Sequence, residues 1–132
     1  MEQVAERITS DDIAIVSSKL LKLFLESLTF TVSFIQEDDG SFTGSVEELD
    51  LFANAPSKDE CLTLLLDDMK EYAQDFYNDF QFWSSAPNRK KHIPYVLKIL
   101  SESDEKLLEA MKHKNPPADH QRAIKTSYAI IA

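Results

Sequence analysis

The sequence predicts an α+β fold: an N-terminal helix, an antiparallel β-hairpin or small sheet packed on a long amphipathic helix, then short C-terminal helices. Three observations predict it. Apolar residues recur at three- and four-residue steps from Ile13 to Leu28, alternate from Phe30 to Val46, and return to helical spacing from Leu62 to Phe80. At 132 residues and 43% hydrophobic, the chain is long enough for one domain with a sizeable core. That domain is placed over residues 1–114, and Pro116-Pro117 sets off a tail over 115–132.

Met1 to Arg7 reads as a loose lead-in. Thr9 and Asp12 have the spacing of a capping box, each side-chain oxygen facing a free backbone N–H at the start of a helix. Ile13, Val16, Leu20, Leu23, Phe24 and Leu28 then fall on one face of a helix over about Ser10 to Ser27, with Lys19, Lys22 and Glu26 on other faces. Phe30, Val32 and Phe34 give the next segment one apolar face, as in a strand. Glu37-Asp38-Asp39-Gly40 supplies the hairpin turn, because Asp-Gly tolerates positive φ. Phe42, Gly44 and Val46 continue a second strand. The phase slips afterwards to Leu49, Leu51 and Ala53, which predicts a bulge or break near Glu47-Glu48.

Ser57 and Glu60 form a second capping box ahead of the long helix. Its broad apolar stripe is Leu62, Leu65, Leu66, Met69, Tyr72, Ala73, Phe76, Tyr77 and Phe80, with Asp59, Asp67, Asp68, Glu71, Asp75 and Asp79 on the rest. Ser84 to Asn88, containing Pro87, breaks this helix. A short helix is expected over Pro94 to Leu100 and a polar one over Asp104 to Lys112. The tail ends Tyr128-Ala129-Ile130-Ile131-Ala132, and such an apolar terminus calls for a surface to dock on.

Composition excludes several function classes. Two glycines, Gly40 and Gly44, cannot build a glycine-rich phosphate loop. The single Cys61 excludes an internal disulfide and a multi-thiolate zinc site, and reads as a small buried hydrophobe. No apolar run approaches the roughly 18 residues that span a bilayer, and no basic-apolar leader opens the chain, so a cytoplasmic protein is expected. The net charge is −9, and it is uneven: thirteen acids face four Lys/Arg through Leu66, and ten of each follow. The front half should repel phosphate backbones.

No catalytic pattern emerges. Asp67 and Asp68 point about 100° apart on a helix, so they do not face each other as an acid–base pair. Asp38-Asp39 is accounted for by the turn, and Asp11-Asp12 by the solvated face of the first helix. His92, His113 and His120 lack the spacing of metal ligands, and no serine sits in a nucleophile elbow. The expectation is no enzyme, no cofactor and no metal.

Two features remain. The acidic face of the long helix, with Asp67, Glu71 and Asp75, suits a cationic partner. The cluster Arg89, Lys90, Lys91 and His92 lies between Trp83 and Tyr95 and could contact an anion or nucleic acid. Its structural alternative is that the cluster pairs with carboxylates of the preceding helix while Trp83 enters the core and His92 caps or packs at the next helix. A further alternative is a small-ligand or regulatory module, with Tyr72, Phe76, Tyr77, Phe80 and Trp83 lining a pocket.

The block Trp83-Ser84-Ser85-Ala86-Pro87-Asn88-Arg89-Lys90-Lys91-His92-Ile93-Pro94-Tyr95-Val96-Leu97, with Glu71-Tyr72-Ala73-Gln74-Asp75-Phe76-Tyr77 and Glu48-Leu49-Asp50-Leu51, resembles bacterial antitoxins of the RelE/RelB type with a Phd/YefM-like fold. The resemblance covers about Thr29 to Leu100, and Asn88-Arg89 with Pro94-Tyr95 is its most specific part. A hairpin followed by a Ser-x-x-Glu helix is also shared with HicB-like antitoxins. The resemblance implies a homodimeric protein that neutralises a cognate RNA-cleaving toxin by direct binding, with operator DNA as a second partner. An acidic partner can cover the cationic surface by which such a toxin holds phosphate. The partner-binding candidates are Asp67, Glu71, Asp75, Tyr128, Ile130 and Ile131.

Overall fold

The computed structural model describes residues 8–113. Helix α1 spans Ser10–Ser27, opened by the expected capping box: Asp12 N–H donates to Thr9 Oγ1 (3.1 Å) and Thr9 N–H to Asp12 Oδ2 (3.0 Å). Strands β1 (Phe30–Gln36) and β2 (Phe42–Val46) pair antiparallel, joined by the turn in which Gly40 has φ 88° and Asp39 Oδ1 accepts from Ser41 N–H and Oγ–H. The break after β2 is a 3₁₀ turn, Glu47–Leu49, closed by Asp50 in the left-handed region at φ 56°. Past Val46 the chain can no longer serve β1 as a strand. The Glu48 carboxylate substitutes, accepting from Thr31 N–H at 2.6 Å and Thr31 Oγ–H at 2.7 Å. Strand β3 (Leu51–Ala55) then pairs antiparallel with β2.

Helix α2 (Lys58–Asn78) crosses one face of this sheet. Ser57 accepts from Glu60 N–H (3.1 Å), which is one half of the capping box expected there. The buried side of α2 is Cys61, Leu65, Leu66, Met69, Ala73 and Phe76. They meet Phe30, Val32, Val46, Leu49 and Ala55 from the sheet side. Contact is close: a Cβ on Gly44 would lie 2.7 Å from Cys61 Sγ and 2.9 Å from Leu65 Cδ1.

The helix ends earlier than its apolar stripe suggests. It stops at Asp79, and Phe80–Ser85 form a separate short helix, α3, with Phe80 half exposed. The turn lets Trp83 come back over α2, stacking on Phe76 (6.1 Å, 22° between planes) and meeting Tyr72 edge-on. Ala86 is extended, as a residue before proline prefers, and Pro87 opens the single-turn helix α4 (Pro87–Lys90). Helix α5 (Ile93–Ser101) and helix α6 (Asp104–Ala110) complete the helical layer.

The polar helix expected to run to Lys112 stops at Ala110. Met111–His113 form a fourth strand, β4, parallel to β1, giving the sheet order β3-β2-β1-β4. The free edge of β1 offers ladder partners there, and Met111 is buried against the core.

Candidate functional site: the acidic face of helix α2 and the Arg89–His92 turn

Asp67, Glu71 and Asp75 are exposed and four residues apart, so they form one line along α2 on the side away from the sheet. None of the three joins the ion pairs of the described residues; the nearby Lys70 pairs instead with Asp104 at 3.1 Å. Asp68, half turned toward the body, has its carboxyl pushed up by burial and then by repulsion from Asp67. The line carries concentrated negative charge with no counter-ion from its own helix.

The basic turn behaves differently from expectation. Among the described residues, no ion pair joins Arg89, Lys90 or Lys91 to the carboxylates of α2. Arg89 instead lies over the rings of Tyr72 and Trp83, 5.6 Å from each centroid, and donates to Tyr72 Oη at 3.2 Å. The reason is geometric. The acidic line points outward from α2, whereas the helix side facing the turn is aromatic, and a guanidinium stacks well on such faces.

His92 packs rather than caps. It is fully buried, makes no side-chain cap at α5, and its Nδ1 lies 2.7 Å from Tyr72 Oη. Because Tyr72 accepts from Arg89, its single hydroxyl proton is available to donate to Nδ1. The neutral imidazole then carries its proton on Nε2, which faces the Asp50 carboxylate at 3.8 Å. Burial, and then the Arg89 charge, hold the His92 pKa below its ordinary value, with Asp50 opposing. Lys90 and Lys91 remain exposed. The four residues thus separate into a packed pair and a solvated pair.

The aromatics expected as a pocket lining fill their own space. Tyr72, Phe76, Phe80 and Trp83 contact one another ring to ring at 5.8–6.1 Å, while Tyr77 faces solvent. Cys61 is buried, its thiol pushed up by burial, with Sγ 3.3 Å from the Ala53 carbonyl. Among the described residues no cluster of three or more His, Cys, Asp or Glu could hold a metal, and no helix is long and apolar enough to cross a membrane. Tyr128, Ile130 and Ile131 lie outside the described residues.

Sequence reasoning missed Lys98. It is buried on α5, donates to the Leu25 carbonyl oxygen at 2.8 Å, and pairs with Glu102 at 2.6 Å. The i,i+4 spacing of Lys98 and Glu102 was its one available signal.

Fold and surface together define an α+β domain with an exposed acidic line on α2 and exposed apolar residues on α1. The chain belongs to the PHD-like antitoxin family: the model described as antitoxin of toxin–antitoxin, RelE/RelB, TA system matches residues 1–112. Membership implies a cognate toxin as partner and a role that is not enzymatic. A crystal structure from Syntrophomonas wolfei subsp. wolfei, described as the antitoxin part of a proposed toxin/antitoxin system, is similar at 34% identity. Its TM-score is 0.65, with 73% of this chain and 70% of that one covered. No curated protein matches the chain.

Proposed function

We propose that this antitoxin acts in the cytoplasm as a homodimer, and neutralises an RNA-cleaving toxin by direct binding. The acidic line Asp67, Glu71 and Asp75 covers the toxin's cationic RNA-binding surface. The observation that supports this reading is the line itself: three exposed carboxylates in register, none held by an ion pair among the described residues. Such a surface draws a basic partner by steering and lies across the phosphate-binding groups. Tyr128, Ile130 and Ile131 serve as the apolar anchor, in a tail over 115–132 that follows a single domain over 1–114.

Operator autoregulation has less support. Of the basic turn only Lys90 and Lys91 are exposed, and Arg89 and His92 are committed to Tyr72. Co-purification with the toxin encoded beside it tests the main reading. Complex formation, and relief of toxin RNA cleavage by the wild-type chain, are expected. A neighbour that is harmless alone, or that forms no complex, overturns it.

A further inference from the structure

Helix α1 carries an apolar stripe that the rest of the described residues leave uncovered. Ile13, Val16, Leu20 and Leu23 are 58%, 56%, 61% and 63% exposed. They follow one another at steps of three, four and three, the a/d spacing of a two-stranded coiled-coil seam. Leu25, the one buried residue of α1, holds the helix to α5 beneath the Lys98 bond. At about 100° per residue, Leu25 lies on nearly the opposite side of the helix from the seam. The chain's own described body therefore sits behind α1, and a partner can reach the seam without meeting it.

We infer that the seam pairs with the same seam of a second copy, as a parallel two-stranded coiled coil along Ile13, Val16, Leu20 and Leu23. Charge supports that occupant. The chain is at −9, yet α1 holds three acids, Asp11, Asp12 and Glu26, against Lys19 and Lys22. Two copies thus meet at a nearly neutral surface, whereas the acidic line of α2 repels a copy. Charge also sets direction. Antiparallel overlap would place Lys19 opposite Lys19 and Asp12 opposite Glu26. Parallel overlap places Asp12 by Ser17 and Lys19 by Phe24, with no like pair.

Area agrees. The four seam residues and the flanking Phe24, at on the order of 100 Å² each, supply more than half of the roughly 800 Å² per partner of a stable interface. Pairing also accounts for an 18-residue helix that alone is marginal in water.

This inference gives the homodimer proposed above its surface and does not depend on the toxin. Sedimentation of the full chain at micromolar concentration is expected to show a dimer that tightens with added salt, as the acidic bodies are screened. Leu20→Glu and Val16→Glu should each weaken it at least 100-fold, with the thermal transition of the domain retained. Leu20→Cys should oxidise to a covalent dimer, and Lys22→Cys, on the far side, should not; buried Cys61 does not compete. The crosslink is read on a folded chain, so it decides even where a charged variant misfolds. A monomeric chain, with the stripe covered by its own tail or bare, overturns both this inference and the homodimer. A dimer indifferent to both charged variants, or crosslinking equally through Lys22→Cys, overturns the seam alone.

Discussion

The ammonium of Lys98 donates a 2.8 Å hydrogen bond to the backbone carbonyl of Leu25, 73 residues earlier in the chain. This bond gives a second donor to a carbonyl of the last turn of α1, which also accepts from the Leu28 N–H at 3.2 Å, and places a positive charge at the negative end of the helix dipole. Glu102 balances the charge at 2.6 Å. Lys98→Met removes the donor and leaves Glu102 nearly buried without a cation. A loss of about 3 kcal/mol in urea unfolding is expected, because breaking a buried pair strands the remaining charge. Adding Glu102→Leu should recover most of it, and a double variant as unstable as the single would count against the pair.

Stability should depend on pH through His92. Its pKa in the folded chain lies below the ordinary 6.5, so the unfolded chain binds the proton more readily. The contribution of neutral His92 is therefore complete above pH 6.5 and is lost as pH falls through the lower folded value. The melting temperature should decline on acidification in that window. His92→Gln, whose amide oxygen can still accept from Tyr72, should flatten the decline. Asp50→Asn, which removes the opposing carboxylate, should steepen it.

Gly44 is needed for its lack of a Cβ, which in alanine would meet Cys61 and Leu65 inside 3.0 Å. Gly44→Ala is expected to cost about 1–3 kcal/mol through overpacking. Cys61→Ala made alongside should relieve part of that cost. Equal stability of Gly44→Ala and wild type in a denaturant titration would show that the sheet and α2 can separate freely.

Neutralising the acidic line should act on association more than on dissociation. Asp67→Asn, Glu71→Gln and Asp75→Asn together are expected to slow toxin binding about tenfold at low salt, with the difference shrinking as ionic strength rises. Stopped-flow mixing at two salt concentrations reads this directly, and an unchanged association rate would move the toxin surface off α2.

Much of the fold could be read locally. The ends of α1, the Asp39-Gly40 turn and the break after Val46 each have a cause within a few residues: a cap, a positive φ, or a change of period. The end of α2 at Asp79 was not legible, since the apolar stripe continues through Phe80 and Trp83. Only the stacking of Trp83 on Phe76 requires the chain to turn there. The acidic line of the candidate site was legible for the same local reason, four-residue spacing. The basic turn was not, because charge alone does not show that Arg89 has an aromatic face within reach.

By itself, then, the sequence determined the order of helix and strand from Ser10 to the start of α2, and which surface of α2 is acidic. Those properties follow from periodicity over one or two turns of chain. Tertiary structure alone decided what each apolar face meets. It put β4 on the edge of β1, buried Lys98 beneath α1, and tied His92 to Tyr72. It also left the Ile13–Leu23 stripe bare among the described residues. A hydrophobic period records that a face prefers to leave water, but the partner that covers it lies far along the chain or on another molecule.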